Sequence, residues 1–323
     1  MGVSRDPENT DRSEFLMNKG LNRFAILVAC ATFFLIIAGA LVTSNDAGLA
    51  TPDWPTSNGL LFPEMVGNLF WEHGHRMVAT TVGLLTIGLA VYVRFKEKRM
   101  WIWKLSFFAL LTVIAQGLLG ALTVKMMLPL GVSAAHGTLA QLFFCTTVSL
   151  AVFTSRSWME ARVLPEEKGM PPLRWLCTTA LVTIFLQLIL GATLRHSATW
   201  DHHLPVHLVL AHVGGAFAVT LALGGAAVSV LRRHKGETFL TRPATIALVL
   251  LVVQLFLGVA AYLTRLASPN EPQPLNPMIS ITVAHVACGA LVFATTIVLT
   301  LRTFRVLPAS EAAMEMAARP QES

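Results

Sequence analysis

The chain has 323 residues, of which 54% are apolar and only 13% are charged, and its mean hydropathy is +0.62. Soluble domains carry about 25% charged residues, so this composition excludes an ordinary soluble protein and indicates a membrane protein. The net charge of +6 belongs to cations placed between apolar stretches, and it gives no indication of nucleic-acid binding.

Eight apolar stretches are each long enough to cross a bilayer as a helix, which takes about 20 residues. In chain order they cover 23–43, 75–95, 103–124, 133–154, 173–194, 207–230, 243–264 and 279–301. Runs of this length are too long for the strands of a membrane barrel. We therefore predict an all-α polytopic membrane protein with eight transmembrane helices.

The third, fifth and seventh stretches end alike. Gln116, Gln187 and Gln254 are each followed four residues later by a glycine and then by Ala or Val, and the first stretch has the same glycine, Gly39, without the glutamine. Residues four apart share a helix face. After each ending come a connection, a histidine and another apolar helix. The repeated unit is therefore a two-helix hairpin, used four times.

Four hairpins predict two pseudo-symmetric four-helix bundles, because units with an even number of spans keep the same orientation in the membrane. The bundles cover 23–154 and 173–301 and are joined by a linker, 155–172. The tails are 1–22 and 302–323.

The cations predict the orientation of the spans. The two tails and the connections after the second, fourth and sixth helices, counted together with the adjoining ends of the apolar stretches, hold 20 of the 24 Lys and Arg residues, whereas the first outer connection, residues 44–70, has none. By the positive-inside rule, both termini are cytoplasmic. The first 22 residues carry four acidic residues and no apolar core, unlike a signal or transit peptide. We expect a multi-pass protein of a bacterial cytoplasmic (inner) membrane.

Four histidines stand near the outer ends of the even-numbered helices, and each has Ala or Gly four residues later: His75, His136, His212 and His285. A histidine among lipid is costly unless it is paired or ligated, and a small neighbour one turn away leaves room for a flat ring system. Facing pairs, His75 with His136 and His212 with His285, would suit the two axial ligands of a haem iron. The alternatives are hydrogen bonds to neighbouring helices, or a copper or zinc ion, which usually takes more than two protein ligands.

The four cations on the outer side are Arg76, Lys125, Arg195 and Arg265. At the membrane edge they could neutralise the two propionates of a haem. The alternative is that these long side chains extend to the interface without binding a ligand.

Glu72 is the residue that we expect to carry chemistry. It lies three positions before His75, on the same face if the helix already runs there, and a carboxylate beside a haem edge can accept a proton. None of the other three histidines has a Glu at this position, which suggests one reactive and one passive site. The alternative is an acid favoured by the helix dipole in a first turn.

These motifs together resemble bacterial haem A synthase over about residues 23–305. The resemblance rests on Glu72-His73-Gly74-His75-Arg76, the segment from Gly48 to Pro55, the Gln-x-x-x-Gly-Ala endings and the Ala-His starts of helices four, six and eight. It implies oxidation of the C8 methyl group of haem O to a formyl group, which makes haem A for haem-copper terminal oxidases. By resemblance, His75 and His136 would hold haem O, His212 and His285 would hold haem b, and Glu72 matches the family's essential acid.

One departure concerns the cysteines. Many members of that family carry a cysteine pair in the first outer connection, and this chain has none there, so a thiol step in that loop cannot operate. Asp53-Trp54-Pro55 in the same connection is interpreted as a lid. His196, His202, His203 and His207 crowd the third outer connection, which we interpret as a solvated loop.

Two other classes of function remain open. A diheme b-type electron-transfer protein would use the same histidines without needing Glu72, and a transporter would also have internal repeats. The resemblance further implies transient contact with haem O synthase and with terminal oxidase assembly, in addition to membrane lipid, and the chain could form a homo-oligomer.

Overall fold

The computed structural model describes residues 7–164, 170–201, 204–267 and 275–307. This part of the chain folds almost entirely into helices: α1 Pro7–Ser44, α2 Asn68–Lys96, α3 Met100–Lys125, α4 Leu130–Phe153, α5 Arg156–Met159, α6 Leu173–Asp201, α7 Val206–Arg233, α8 Thr238–Ala267 and α9 Asn276–Val306. All of these except the short α5 contain a segment long and apolar enough to cross a membrane. The predicted all-helical class and the eight spans are confirmed.

The spanning helices continue past the apolar stretches that predicted them. A helix satisfies its own backbone hydrogen bonds and can therefore run on into the polar interface. As a result the four histidines lie six to nine residues inside α2, α4, α7 and α9. At 1.5 Å per residue this is about 9–14 Å from the helix ends, deeper than the sequence suggested.

The helices of each half form a closed ring. In the N-terminal half α1 packs on α2, α2 on α3, α3 on α4, and α4 returns to α1. The C-terminal half repeats this order with α6, α7, α8 and α9. The halves meet along α1 and α4 on one side and α6 and α9 on the other. These contacts are compatible with the predicted pair of four-helix bundles.

Each half has its own apolar core. The core of the N-terminal half includes Leu21, Val82 and Phe143. The other core fills the C-terminal half and extends into α1 and α4 through Ile36 and Phe144. The apolar contact between the halves is therefore continuous with the core of the second half, so the two bundles pack as neighbours rather than as separate bodies.

Candidate functional site

Each of the four histidines lies against a glycine of the helix that precedes its own. The pairs are Gly39 with His75, Gly120 with His136, Gly191 with His212, and Gly258 with His285. A Cβ atom placed on any of these glycines would lie 3.1–3.3 Å from the Cε1 atom of the imidazole. These are the glycines of the repeated helix endings, so the repeat has a packing reason: without a side chain the backbone can approach the ring closely.

Two of the repeated glutamines bind the histidine of their own hairpin. Nε2 of Gln187 lies 3.1 Å from Nδ1 of His212 and donates to the backbone carbonyl of that residue at 2.8 Å. Nε2 of Gln254 lies 3.3 Å from Nε2 of His285. In the C-terminal half the glutamines hold the imidazoles themselves.

The small residues that follow the histidines make room for these glutamines. A Cβ on Gly289 would lie 3.1 Å from Nε2 of Gln254, and one on Gly215 would overlap Oε1 of Gln187. The sequence led us to expect that the small residue four positions after each histidine would leave room for a flat ring system. At Gly289 the neighbouring atoms belong to the Gln254 amide, and for the other three positions the expectation stays a prediction.

The ring spacing suits a pair of axial ligands. The centroids of His212 and His285 are 6.3 Å apart, with the ring planes inclined at 72°. Two imidazoles that each hold one metal ion at about 2.0 Å place their centroids about 6 Å apart. His75 and His136 lie close enough to interact electrostatically. The structure therefore places the histidines in the two pairs that the repeat predicted.

The polar atoms of these rings also fit ligation. Nδ1 of His75 is buried and has no hydrogen-bond partner within the described part of the chain, whereas His136 and His285 each interact with a backbone group of the preceding helix, at Gln116 and Gln254. Burying a polar atom unpaired is costly, so such an atom marks a place where a ligand is expected. Among residues 19–164, 170–197, 204–267 and 275–307, no group of three His, Cys, Asp or Glu could hold a metal ion. The donor set fits a haem iron better than a bare zinc or copper ion.

Glu72 lies within α2, as its proposed role requires, and only 4% of the residue is exposed. Its Oε2 accepts a hydrogen bond from the backbone N–H of Thr51 at 3.0 Å, and its Oε1 forms an ion pair with Arg76. The carboxylate is thus held between α2 and the first outer connection, one turn from His75.

Arg76 and His73 fasten the first outer connection to α2. Besides Glu72, the guanidinium of Arg76 donates to the carbonyls of Asp53 at 2.9 Å and Thr56 at 2.7 Å. His73 is hydrogen-bonded to the Ser57 hydroxyl at 2.9 Å, and its side chain therefore does not share the role of His75. The predicted role of Arg76 as a propionate partner would require it to exchange bonds that it makes within the protein.

Asp53 organises the connection internally. It accepts hydrogen bonds from the N–H groups of Gly59 at 2.8 Å and Asn58 at 3.0 Å, from the Thr56 hydroxyl at 3.1 Å and from the Thr51 hydroxyl. These bonds, chiefly those from Gly59 and Thr51, favour the ionised carboxylate and hold the pKa of Asp53 well below its usual value. The connection is therefore a loop held in one shape by its own hydrogen bonds. Its role as a lid stays a prediction.

The remaining predicted cations lie near the same region. Lys125 donates to the carbonyl of Pro52 at 3.3 Å, and Arg195 donates to the Ser44 hydroxyl at 3.3 Å. Arg265 contacts the sulfur of Met278 at 3.8 Å. Cations from α2, α3 and α6 thus converge on the first outer connection, and their predicted contact with propionates stays a prediction.

The third outer connection differs from its predicted solvated loop. His196 lies within α6, where its side chain is half-buried near Gly137 of α4, and His207 is exposed in α7. His202 and His203 fall outside the described residues. The helix continues here beyond the apolar stretch, as elsewhere, and this is why the sequence missed the proximity of His196 to the N-terminal pair.

Comparison with known proteins agrees with the geometry. A family model described as "Cytochrome oxidase assembly protein" matches residues 64–201. Heme A synthase of Bacillus licheniformis is 26% identical over 279 residues, which cover 77% of this chain and 88% of the relative. The chain is similar to haem A synthases over most of its length. The resemblance inferred from its motifs is confirmed.

Other haem A synthases show similar relationships. Heme A synthase of Geobacillus kaustophilus is 24% identical over 279 residues, covering 77% of this chain and 84% of the relative. That of a Caulobacter species is 31% identical over 140 residues, or 40% of this chain and 41% of the relative. The range matched by the family model contains Glu72, His75 and His136.

The cysteines of this chain lie away from the first outer connection. The four belong to spanning helices and form no disulfide with one another: Cys30, Cys145, Cys177 and Cys288. Three of them are buried, and two of these make polar contacts, Cys177 with the Thr303 hydroxyl at 3.7 Å and Cys288 with the carbonyl of Leu250 at 3.5 Å.

Proposed function

We propose that this protein is a haem A synthase, an oxidoreductase that converts the C8 methyl group of haem O to the formyl group of haem A. Haem O is held between His75 and His136, and haem b between His212 and His285. The observation that carries the proposal is an asymmetry between two otherwise similar sites. Both have the histidine–glycine packing, but among the described residues only the first site has a buried carboxylate one turn from a ligand.

The positions equivalent to Glu72 support this division. They are occupied by Ser133, Val209 and Thr282, of which none can act as a carboxylate base. A passive haem needs only ligands, whereas oxidation of a methyl group also moves protons: they are released if water supplies the oxygen and taken up if molecular oxygen does. A nearby carboxyl group can accept or deliver them, and by these equivalent positions only the N-terminal site has one.

The reaction balances as two successive oxidations of one carbon. Each replaces a C–H bond by C–OH, and the resulting geminal diol loses water to give the aldehyde. If molecular oxygen is the oxidant, each step also consumes two electrons from a donor and releases one water. If water is the oxygen source, each step instead delivers two electrons to an acceptor.

The chain's own residues bind and orient the haems and accept protons. Glu72 accepts a proton near the substrate, and the ion pair with Arg76 together with the N–H of Thr51 keeps its oxygens in place. Gln187 orients His212 through two hydrogen bonds. When bound, haem b supplies one-electron transfer between the reaction site and an external partner.

The proposal includes a location and partners. By the positive-inside rule, the cation distribution predicts that both termini lie in the cytoplasm and both sites toward the outer leaflet. Haem O would arrive from haem O synthase, and haem A would leave for terminal oxidase assembly.

Glu72→Ala tests the assignment of the base. We expect the variant to keep both haem sites but to lose conversion of haem O to haem A, measured by extracting and separating the haems from membranes. Glu64→Ala is the matched control, because Glu64 is an exposed acid of the same first outer connection. Full conversion by Glu72→Ala would remove Glu72 from catalysis.

Pigment analysis separates the proposed enzyme from its alternatives. The enzyme should contain haem O or haem A alongside haem b, an electron carrier only haem b, and a transporter no haem. His285→Ala should lose the b-type spectrum while the protein remains inserted. A b-type spectrum of full intensity in that variant would contradict the assignment of the C-terminal pair.

A further inference from the structure

The lipid-facing side of α2 is marked by exposed apolar side chains. Phe70, Met77, Leu84 and Val91 recur every seven residues and are each about half exposed or more. Residues seven apart lie on nearly the same face of a helix. Because α2 is long and apolar enough to span the membrane, this stripe is the part of its surface that meets lipid.

His73 lies on that same face, three residues after Phe70 and four before Met77, yet only 4% of it is exposed. The first outer connection covers it. The hydroxyl of Ser57 lies 2.9 Å from Nδ1 of the ring, and the backbone carbonyl of Leu61 lies 3.1 Å from Nε2. The connection therefore folds down over the lipid-facing side of α2 rather than standing clear of the membrane.

The segment that covers His73 ends in an apolar tip, residues Leu60–Phe62. The three side chains are 55%, 70% and 81% exposed, in chain order. The tip is held in place, because Ser57 and Leu60 exchange two backbone hydrogen bonds of 3.0 Å each. Exposed apolar side chains on a loop that is fixed by hydrogen bonds indicate a surface that contacts something apolar.

We propose that the apolar tip, Leu60–Phe62, inserts into lipid at the outer interface of the membrane and continues the lipid-facing stripe of α2. The level of the tip supports lipid as the occupant. At 29 residues α2 is about 44 Å long, whereas the hydrocarbon core is about 30 Å thick, so its first turns lie among the headgroups. The tip is bonded to His73 in those turns.

The charge of the loop agrees with this placement. Residues 44–70 contain no Lys or Arg. The exposed carboxylate of Glu64, two residues after the tip, marks where the loop turns back toward water. An interfacial segment typically has such an apolar side next to a polar one.

Spin labelling in proteoliposomes of phosphatidylcholine and phosphatidylglycerol tests the proposal. Phe62→Cys carries the nitroxide at the tip, with Leu84→Cys as the lipid reference and Glu64→Cys as the water reference, all in a Cys30→Ala background because Cys30 is exposed. Collision rates are measured with oxygen, which concentrates in lipid, and with a water-soluble nickel chelate. All three positions are exposed, so the labels should leave the fold intact, as circular dichroism can verify.

We expect the label at position 62 to resemble the one at position 84, with frequent oxygen collisions and nickel collisions several-fold fewer than at position 64. Nickel collisions as frequent as at position 64 would show that the tip is in water and would overturn the proposal. Protection from both reagents would show that protein covers the tip, and would overturn it equally. Neither result depends on haem or on activity.

Discussion

Gly258→Ala tests whether the repeated glycines exist to admit the histidines. The added Cβ would lie 3.1 Å from Cε1 of His285. Ordinary contacts between carbon atoms are about 3.5–4.0 Å, so the imidazole or the helix must retreat by about 0.5 Å. Metal sites tolerate errors of only about 0.2 Å in ligand distance. The substitution should therefore disturb ligation more than it disturbs folding.

The expected magnitudes distinguish the effect of Gly258→Ala on folding from its effect on haem b binding. Overpacking a buried contact costs about 1–3 kcal/mol, whereas Ala is favoured over Gly inside a helix by about 1 kcal/mol. The free energy of unfolding should consequently change by no more than about 2 kcal/mol. Binding of haem b gains nothing from helix propensity, so we expect it to weaken by about tenfold to a hundredfold.

The assay compares Gly258→Ala with Gly225→Ala, a helical glycine with no atom near its would-be Cβ. Haem b content per polypeptide is measured from the absorbance spectrum. The rate of haem loss is measured by following the transfer of haem to a haem-binding scavenger protein. The control should retain the wild-type values. If Gly258→Ala also retains them, close packing of glycine on histidine is not needed for the site, and the reasoning fails.

Gln187→Ala removes both hydrogen bonds to His212. Because such partners orient a metal ligand, we expect haem b binding to weaken about ten- to hundredfold in the same haem-transfer assay. Haem transfer at the wild-type rate would contradict this prediction. Asp53→Asn replaces one carboxylate oxygen by an NH2 group, which cannot accept hydrogen bonds from backbone N–H groups such as that of Gly59. We therefore expect faster amide hydrogen exchange in residues 51–60. The lowered pKa of Asp53 also predicts an acid effect. The stability that the ionised Asp53 carboxylate contributes is complete above about pH 4, the pKa of this group in the unfolded chain. It falls as the pH drops toward the lower pKa of the same group in the folded protein. Exchange corrected for its intrinsic pH dependence should therefore rise below about pH 4 in the wild type, and a flat profile would refute the role of Asp53.

The local pattern of this sequence was sufficient to predict the class of fold and to single out the candidate ligands. A run of about 20 apolar residues has one stable form in lipid, the helix, so eight runs imply eight spans. The four histidines and the hairpin repeat were visible for the same reason, since spacing along a helix determines which residues share a face. The family resemblance of Glu72 and its neighbours also lies within a few adjacent residues.

Tertiary structure alone decided what those residues contact. Gly39 and His75 are 36 positions apart, and their contact depends on how closely α1 and α2 approach, which hydropathy does not encode. The sequence placed Arg76 beside a ligand, but the loop supplied its partners. His73 should have met lipid by its helical position, and only the fold of residues 57–61 covers it. Buried donors and acceptors must all be paired, and which partner satisfies each is settled by three-dimensional packing rather than by order along the chain.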